Sequence, residues 1–106
     1  MKEVIDDIRT FNEERDWAKF HTPENLAKSI AIEAGELLEC YQWGDRGNAE
    51  KVSEELADVL IYCYMLADKL QLDPTEIIRR KIAQNRAKYP VEKAKGNSKK
   101  YTEYEG

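Results

Sequence analysis

Apolar residues recur along this chain at intervals of three and four, the period of an α-helix, and no stretch reads convincingly as a strand. The spacing predicts a first helix over residues 1–16, with Val4, Ile5, Ile8, Phe11 and Arg15 along one face. A loop with Trp17, Phe20 and His21 follows. Thr22-Pro23-Glu24 opens a second helix, because Thr22 can cap free amides and Pro23 suits a first turn. That helix is predicted to reach Gln42 or Trp43. Gly44 then stops it, and Asp45-Arg46-Gly47-Asn48 makes a polar turn. A third helix is expected from Ala49 to Leu70. Asp73-Pro74-Thr75-Glu76 opens a fourth with capping-box spacing, and it ends before Pro90. Residues 91–106 are polar, rich in Lys and without a period, which predicts a mobile tail after a helical domain over residues 1–90. The fold class is therefore all-α: a four-helix subunit whose two long central helices form an antiparallel hairpin.

Composition narrows this picture. A chain of 106 residues makes one domain with a modest core, so a helical oligomer is compatible with it. A net charge of −4 argues against the broad basic face of a duplex-DNA binder, although an acidic protein can hold an anionic nucleotide through a metal ion. No apolar run approaches the roughly 20 residues of a membrane span. Met1-Lys2-Glu3-Val4 lacks the apolar stretch of a signal peptide, and Cys40 and Cys63 read as free core thiols; together these predict a cytoplasmic protein. One His and no CxxC pair argue against structural zinc.

Candidate chemistry lies where acids fall on apolar faces. On the second helix Leu26, Ile30, Leu37 and Tyr41 centre the stripe; Glu33 lies at its edge, with Glu36 about 60° further round. Lys28 and Glu39 fall on the far side. The third helix is apolar over most of its circumference, yet Glu55 falls between Val59 and Tyr62, and Asp58 between Tyr62 and Met65. Each helix of the hairpin thus carries an i,i+3 acidic pair near its buried face, close enough to share a ligand. Left alone, four such carboxylates would repel one another and resist desolvation. A divalent cation resolves both, and oxygen ligands without Cys or His point to Mg²⁺ or Mn²⁺. Single pairs of this kind are common on solvated helix surfaces, so the pattern alone also allows a non-catalytic helical assembly module. A diiron bundle is disfavoured, since its Glu-x-x-His segments are missing.

Glu33-Ala34-Gly35-Glu36-Leu37, followed by Glu54-Glu55-Leu56-Ala57-Asp58-Val59-Leu60, resembles the paired acidic motif of MazG-like nucleotide pyrophosphohydrolases. Arg15-Asp16-Trp17, Phe20-His21-Thr22-Pro23, Asn25-Leu26, Tyr41-Gln42-Trp43, Lys88-Tyr89-Pro90 and Lys100-Tyr101-Thr102-Glu103 are similar to the dCTP pyrophosphatase branch, so the likeness spans nearly the whole chain. The resemblance implies an all-α homodimer or homotetramer. It also implies hydrolysis of a nucleoside triphosphate to monophosphate and pyrophosphate, with a pyrimidine deoxynucleotide such as dCTP as substrate.

By the same resemblance Glu33, Glu36, Glu55 and Asp58 match the metal positions, and Glu36 or Glu33 would activate water; the sequence does not separate ligand from base. Trp17 and Trp43 match base-pocket aromatics. Lys81, Asn85 and Tyr89, spaced i, i+4, i+8, match polar positions near the phosphates, and Lys88 could assist them. Tyr62 lies one turn beyond Asp58 and could close the pocket or simply pack. His21 could touch base or sugar, or serve its Thr-Pro cap. Two departures stand out. Ile8 occupies the place where some relatives carry a base-contacting His, and Ala83 falls where some carry an acid. An enzyme acting on another phosphorylated metabolite is the rival within catalysis, and the Trp17 and Trp43 segments argue against it.

Overall fold

The structure, a computed structural model, describes residues 2–44 and 48–96. The described residues are all-α: α1 (Lys2–Glu14), a 3₁₀ turn (Ala18–Phe20), α2 (Pro23–Glu39), α3 (Ala49–Lys69), α4 (Pro74–Lys88) and the short α5 (Val91–Ala94). The chain divides into two compact units between Leu72 and Asp73. Residues 45–47 of the expected polar turn, and residues 97–106 of the expected tail with its Lys100–Glu103 segment, lie outside the described residues.

In the first unit α3 packs along α2 as the expected hairpin, and α1 lies against α3. The core centres on Leu26, which is 1% exposed, with Met65 and Ala67 buried beside it. Caps fix where the helices begin. Thr22 Oγ1 accepts the Asn25 amide at 3.1 Å, Asn25 Nδ2 donates to the Phe20 carbonyl at 3.1 Å, and Asn48 Oδ1 accepts the Lys51 amide at 3.0 Å. A bidentate ion pair ties α1 to α3, with Arg9 Nε and Nη2 donating to the two oxygens of Asp68 at 3.0 and 2.5 Å.

Two helices end in the same device. After α1, Asp16 takes φ 54°; its amide donates to the Glu13 carbonyl at 3.1 Å and the Trp17 amide to the Asn12 carbonyl at 3.0 Å. After α3, Gln71 takes φ 59°, and the Gln71 and Leu72 amides donate to Asp68 and Ala67 at 3.0 and 2.8 Å. These are Schellman caps built on non-glycine residues.

Helix α2 ends earlier than expected, at Glu39 rather than Gln42 or Trp43. The winding does continue, but on tighter i→i−3 bonds from Cys40, Tyr41 and Gln42. Cys40 and Cys63 are free, as expected, though half-buried rather than in the core. No helix among the described residues is long and apolar enough to cross a membrane.

In the second unit Asp73 caps α4, its Oδ1 accepting the Thr75 amide at 2.9 Å, and Pro74 stands at the first position. Glu76 does not complete the expected capping box; it accepts from Arg80 at 2.7 Å, one turn on. Tyr89 is the C-cap of α4, and Val91–Ala94, at the start of the expected tail, forms one helical turn.

Candidate active site

The hairpin delivers its acids to one place. Carboxylate oxygens of Glu33, Glu55 and Asp58 lie within 4.8 Å of one another. Glu55 and Asp58 share adjacent turns of α3, and α2 brings Glu33 across to them. Glu55 is 7% exposed, an unusual position for a carboxylate. One of its oxygens pairs with Lys51 Nζ at 3.2 Å, while the buried Oε2 has no hydrogen-bond partner. Glu33 Oε2 is likewise buried and unpartnered. Two orphaned oxygens in a cluster of acids fit a hard divalent cation, since a buried anion without donors is strongly unfavourable.

Electrostatics say the same. The Glu33 carboxyl is pushed up to about 7, first by burial, then by a hydrogen bond with Glu36 and the negative charges of Glu36, Asp58 and Glu55. Glu36 is exposed beside Glu33, one turn along α2. The Tyr62 hydroxyl is raised as well, by burial and then by Glu33, Asp58 and Glu36, which locates it at the rim of the cluster.

From that rim a cavity of about 400 Å³ runs toward α1. Asp58 and Tyr62 line it at the acidic end, and Ile61 and Met65 extend its α3 wall. Asp7, Ile8, Phe11, Asn12, Trp17 and His21 line the rest. The cap after α1 builds this aromatic end. The left-handed turn at Asp16 reverses the chain and sets the Trp17 ring edge-on to Phe11, with centroids 5.7 Å apart. Arg15 covers the Phe11 ring at 3.8 Å and donates Nη1 to the Phe11 carbonyl at 3.0 Å. Burial, then the nearby Lys69 charge, lowers the His21 imidazole and keeps it neutral at neutral pH.

Of the residues singled out in the sequence, Glu33, Glu55 and Asp58 come together with Glu36 alongside, and Trp17, His21 and Tyr62 line the cavity leading from them. Trp43 does not; it is 92% exposed at the end of the α2 winding. Lys81, Asn85 and Tyr89 belong to the second unit, the first two exposed along α4 and Tyr89 half-buried at its end. Sequence reasoning missed Phe11 and Asn12 as cavity residues. The available signal was a hydrophobic residue, Trp17, just beyond a polar helix end, a position that folds back onto the last turn.

The acidic hairpin is that of a known family, whose MazG-like model matches residues 28–104. The chain belongs to the MazG-like family. It is 39% identical to human dCTP pyrophosphatase 1 over 94% of this chain and 67% of that protein, and 36% identical to the bovine dCTP pyrophosphatase 1 over 94% and 68%. The crystal structure of a pyrophosphatase from Archaeoglobus fulgidus superposes with a TM-score of 0.77 at 45% identity, over 85% of this chain and 92% of that one.

Proposed function

We propose that this nucleoside triphosphate pyrophosphohydrolase takes a pyrimidine deoxynucleotide such as dCTP, with Mg²⁺ (or Mn²⁺) held by Glu33, Glu36, Glu55 and Asp58, and clears surplus or non-canonical nucleotides in the cytoplasm. The observation that carries this reading is a cavity with an aromatic wall at one end and, at the other, Asp58, whose carboxylate clusters with those of Glu33 and Glu55. Its volume, about 400 Å³, lies within the range of ligand pockets.

Bound among the carboxylates, the ion neutralises triphosphate charge and polarises the phosphoryl oxygens. The chain's own residues do the rest. Trp17, braced edge-on by Phe11, offers its face to the base. Glu36, exposed beside Glu33, takes the proton from the water that attacks the α-phosphorus. The bond to the β-phosphate oxygen breaks, and pyrophosphate leaves the monophosphate. Tyr62, its hydroxyl raised by burial and then by its acidic neighbours, donates a hydrogen bond between the two ends of the site.

A homodimer or homotetramer fits the exposed apolar surface. Trp43, Leu38 at 72% and Ile32 at 62% exposure need cover, and so do Leu56 and Leu60 on α3. Such cover would place Trp43 at a subunit junction.

The test is pyrophosphate release from a panel of deoxynucleoside and ribonucleoside triphosphates with Mg²⁺, beside Glu36→Gln. Release from pyrimidine deoxynucleotides, lost in the variant, is the expected result. A folded, Mg²⁺-loaded protein inert on every nucleotide would move the weight to a non-catalytic assembly module.

A further inference from the structure

The pyrimidine end of the cavity has polar side chains that no described residue hydrogen-bonds, Asn12 among them. Asn12 lies one turn after Ile8 on α1, half-buried, on the face the helix turns inward. Its backbone is spoken for, because its carbonyl accepts the amides of Arg15 at 3.3 Å and Trp17 at 3.0 Å. That bond holds Asn12 next to the ring that stacks the base. Its side-chain amide, by contrast, meets no hydrogen-bond partner among the described residues. Asn12 stands in the last turn of α1, with its amide open to the cavity and able to meet a ligand there.

We propose that Asn12 hydrogen-bonds the Watson–Crick edge of the base and sets the enzyme's base selectivity; this rests on the nucleotide reading above. The other polar groups along the cavity are less suited. Asp58 belongs to the carboxylate cluster and Tyr62 to its rim, Asp7 can only accept, Trp17 is turned to stacking, and the neutral His21 ring carries its donor and acceptor on diverging nitrogens rather than side by side. Ile8, the preceding side chain on the same face, offers the base no polar atom.

An amide carries a donor and an acceptor side by side. Cytosine shows an amino donor next to a ring-nitrogen acceptor, and uracil shows a keto acceptor next to an N–H donor. Half a turn of the amide fits one or the other. No described residue fixes which way the Asn12 amide faces. It also has room to turn, since Asn12 lines both this cavity and a neighbouring one of about 300 Å³. The site therefore accepts amino- and keto-pyrimidines alike.

The experiment compares kcat/KM for dCTP and dUTP in the wild type, Asn12→Ala and Asn12→Asp, with Mg²⁺, after checking that all three melt within a few degrees. The wild type is expected to handle both within about tenfold. Asn12→Ala is expected to lower both by about tenfold or more, the scale of a lost bidentate base contact. Asn12→Asp presents acceptors only: it keeps the bond to the cytosine amino group or the uracil N–H and sets a lone pair against the neighbouring acceptor of either base. It is expected to lower kcat/KM for both by about tenfold and to leave the dCTP-to-dUTP ratio within about tenfold, on the same scale. That ratio is internal to each protein, so neither the folded fraction nor the added negative charge on the phosphates affects it. An active wild type with Asn12→Ala or Asn12→Asp unchanged on both bases, or with more than about tenfold preference between the two bases, overturns this assignment alone. A wild type inert on all triphosphates overturns the nucleotide reading and this assignment with it.

Discussion

The two ends of the site are built on opposite principles. At the acidic end, four carboxylates sit on two helices whose i,i+3 spacing fixes them before any tertiary contact forms, and the hairpin only has to close. The result is electrostatically unfavourable by itself: two buried oxygens lack partners and the Glu33 proton is held up to about 7. At the aromatic end no described residue has a buried side-chain oxygen or nitrogen without a partner, and burial with the Lys69 charge lowers the His21 imidazole. Phe11, Trp17 and His21 come from a helix, its cap and the 3₁₀ turn, and ring packing and backbone bonds complete that wall in the free protein. One end waits for a cation; the other is preformed. Chemistry and recognition are therefore separable by mutation.

The largest expected effect breaks the acidic end. Glu55→Gln should lower kcat by about a thousandfold, the scale lost with preorganised charge stabilisation. It should also abolish the rise in melting temperature that Mg²⁺ gives the wild type. Trp17→Ala should act differently. Losing a stacking face worth about 1–3 kcal/mol lowers kcat/KM by about ten- to a hundredfold, mainly through KM, while the Mg²⁺ response survives. Thermal melts with and without Mg²⁺, alongside initial rates, separate the two outcomes. Equal loss of the Mg²⁺ response in both variants would dissolve the distinction between the ends.

The acidic end alone should carry a pH signature. The Glu33 carboxyl titrates near 4.5 when unfolded and near 7 when folded, so between those values the folded state holds a proton that the unfolded chain releases. Its share of the stability of the metal-free protein is intact below about 4.5, falls as pH rises, and levels off above about 7. Glu33→Gln should flatten that decline and raise the metal-free melting temperature at pH 8 by several degrees. Asp68, held low by its hydrogen bond with Arg9, works in the opposite sense as pH falls, and comparing wild type with Glu33→Gln cancels it.

The smallest effect lies outside both ends. Gln71 occupies a left-handed cap that glycine adopts without strain. Gln71→Gly should stabilise by about 0.5–1 kcal/mol in chemical denaturation, with activity unchanged.

The same contrast explains what the sequence discloses. Glu33, Glu55 and Asp58 are legible because a helical period converts spacing directly into a face, and the caps at Thr22, Asn48 and Asp73 announce where three helices begin. The aromatic wall is not legible in that way. It depends on Asp16 turning left-handed without glycine, which residue type does not signal, so Phe11 reads only as part of a stripe and Asn12 not at all. The end of α2 is misplaced by about a turn because Gly44 suggests a stop, whereas tighter hydrogen bonding begins at Cys40. Glu76 carries the right spacing for a capping box, but Arg80 competes for it. Trp43, Lys81, Asn85 and Tyr89 take their roles from family resemblance, and no geometry within the first unit derives them.

The central claim is that one cavity holds the cation at one end and the base at the other. It is tested most directly by a crystal structure with Mn²⁺ and an α,β-imido analogue of dCTP, the metal located by its anomalous scattering. The expected result is an anomalous peak among Glu33, Glu55 and Asp58, with the base lying against Trp17. A metal bound elsewhere, or a base outside the Phe11–Trp17 wall while the analogue is bound, would contradict it.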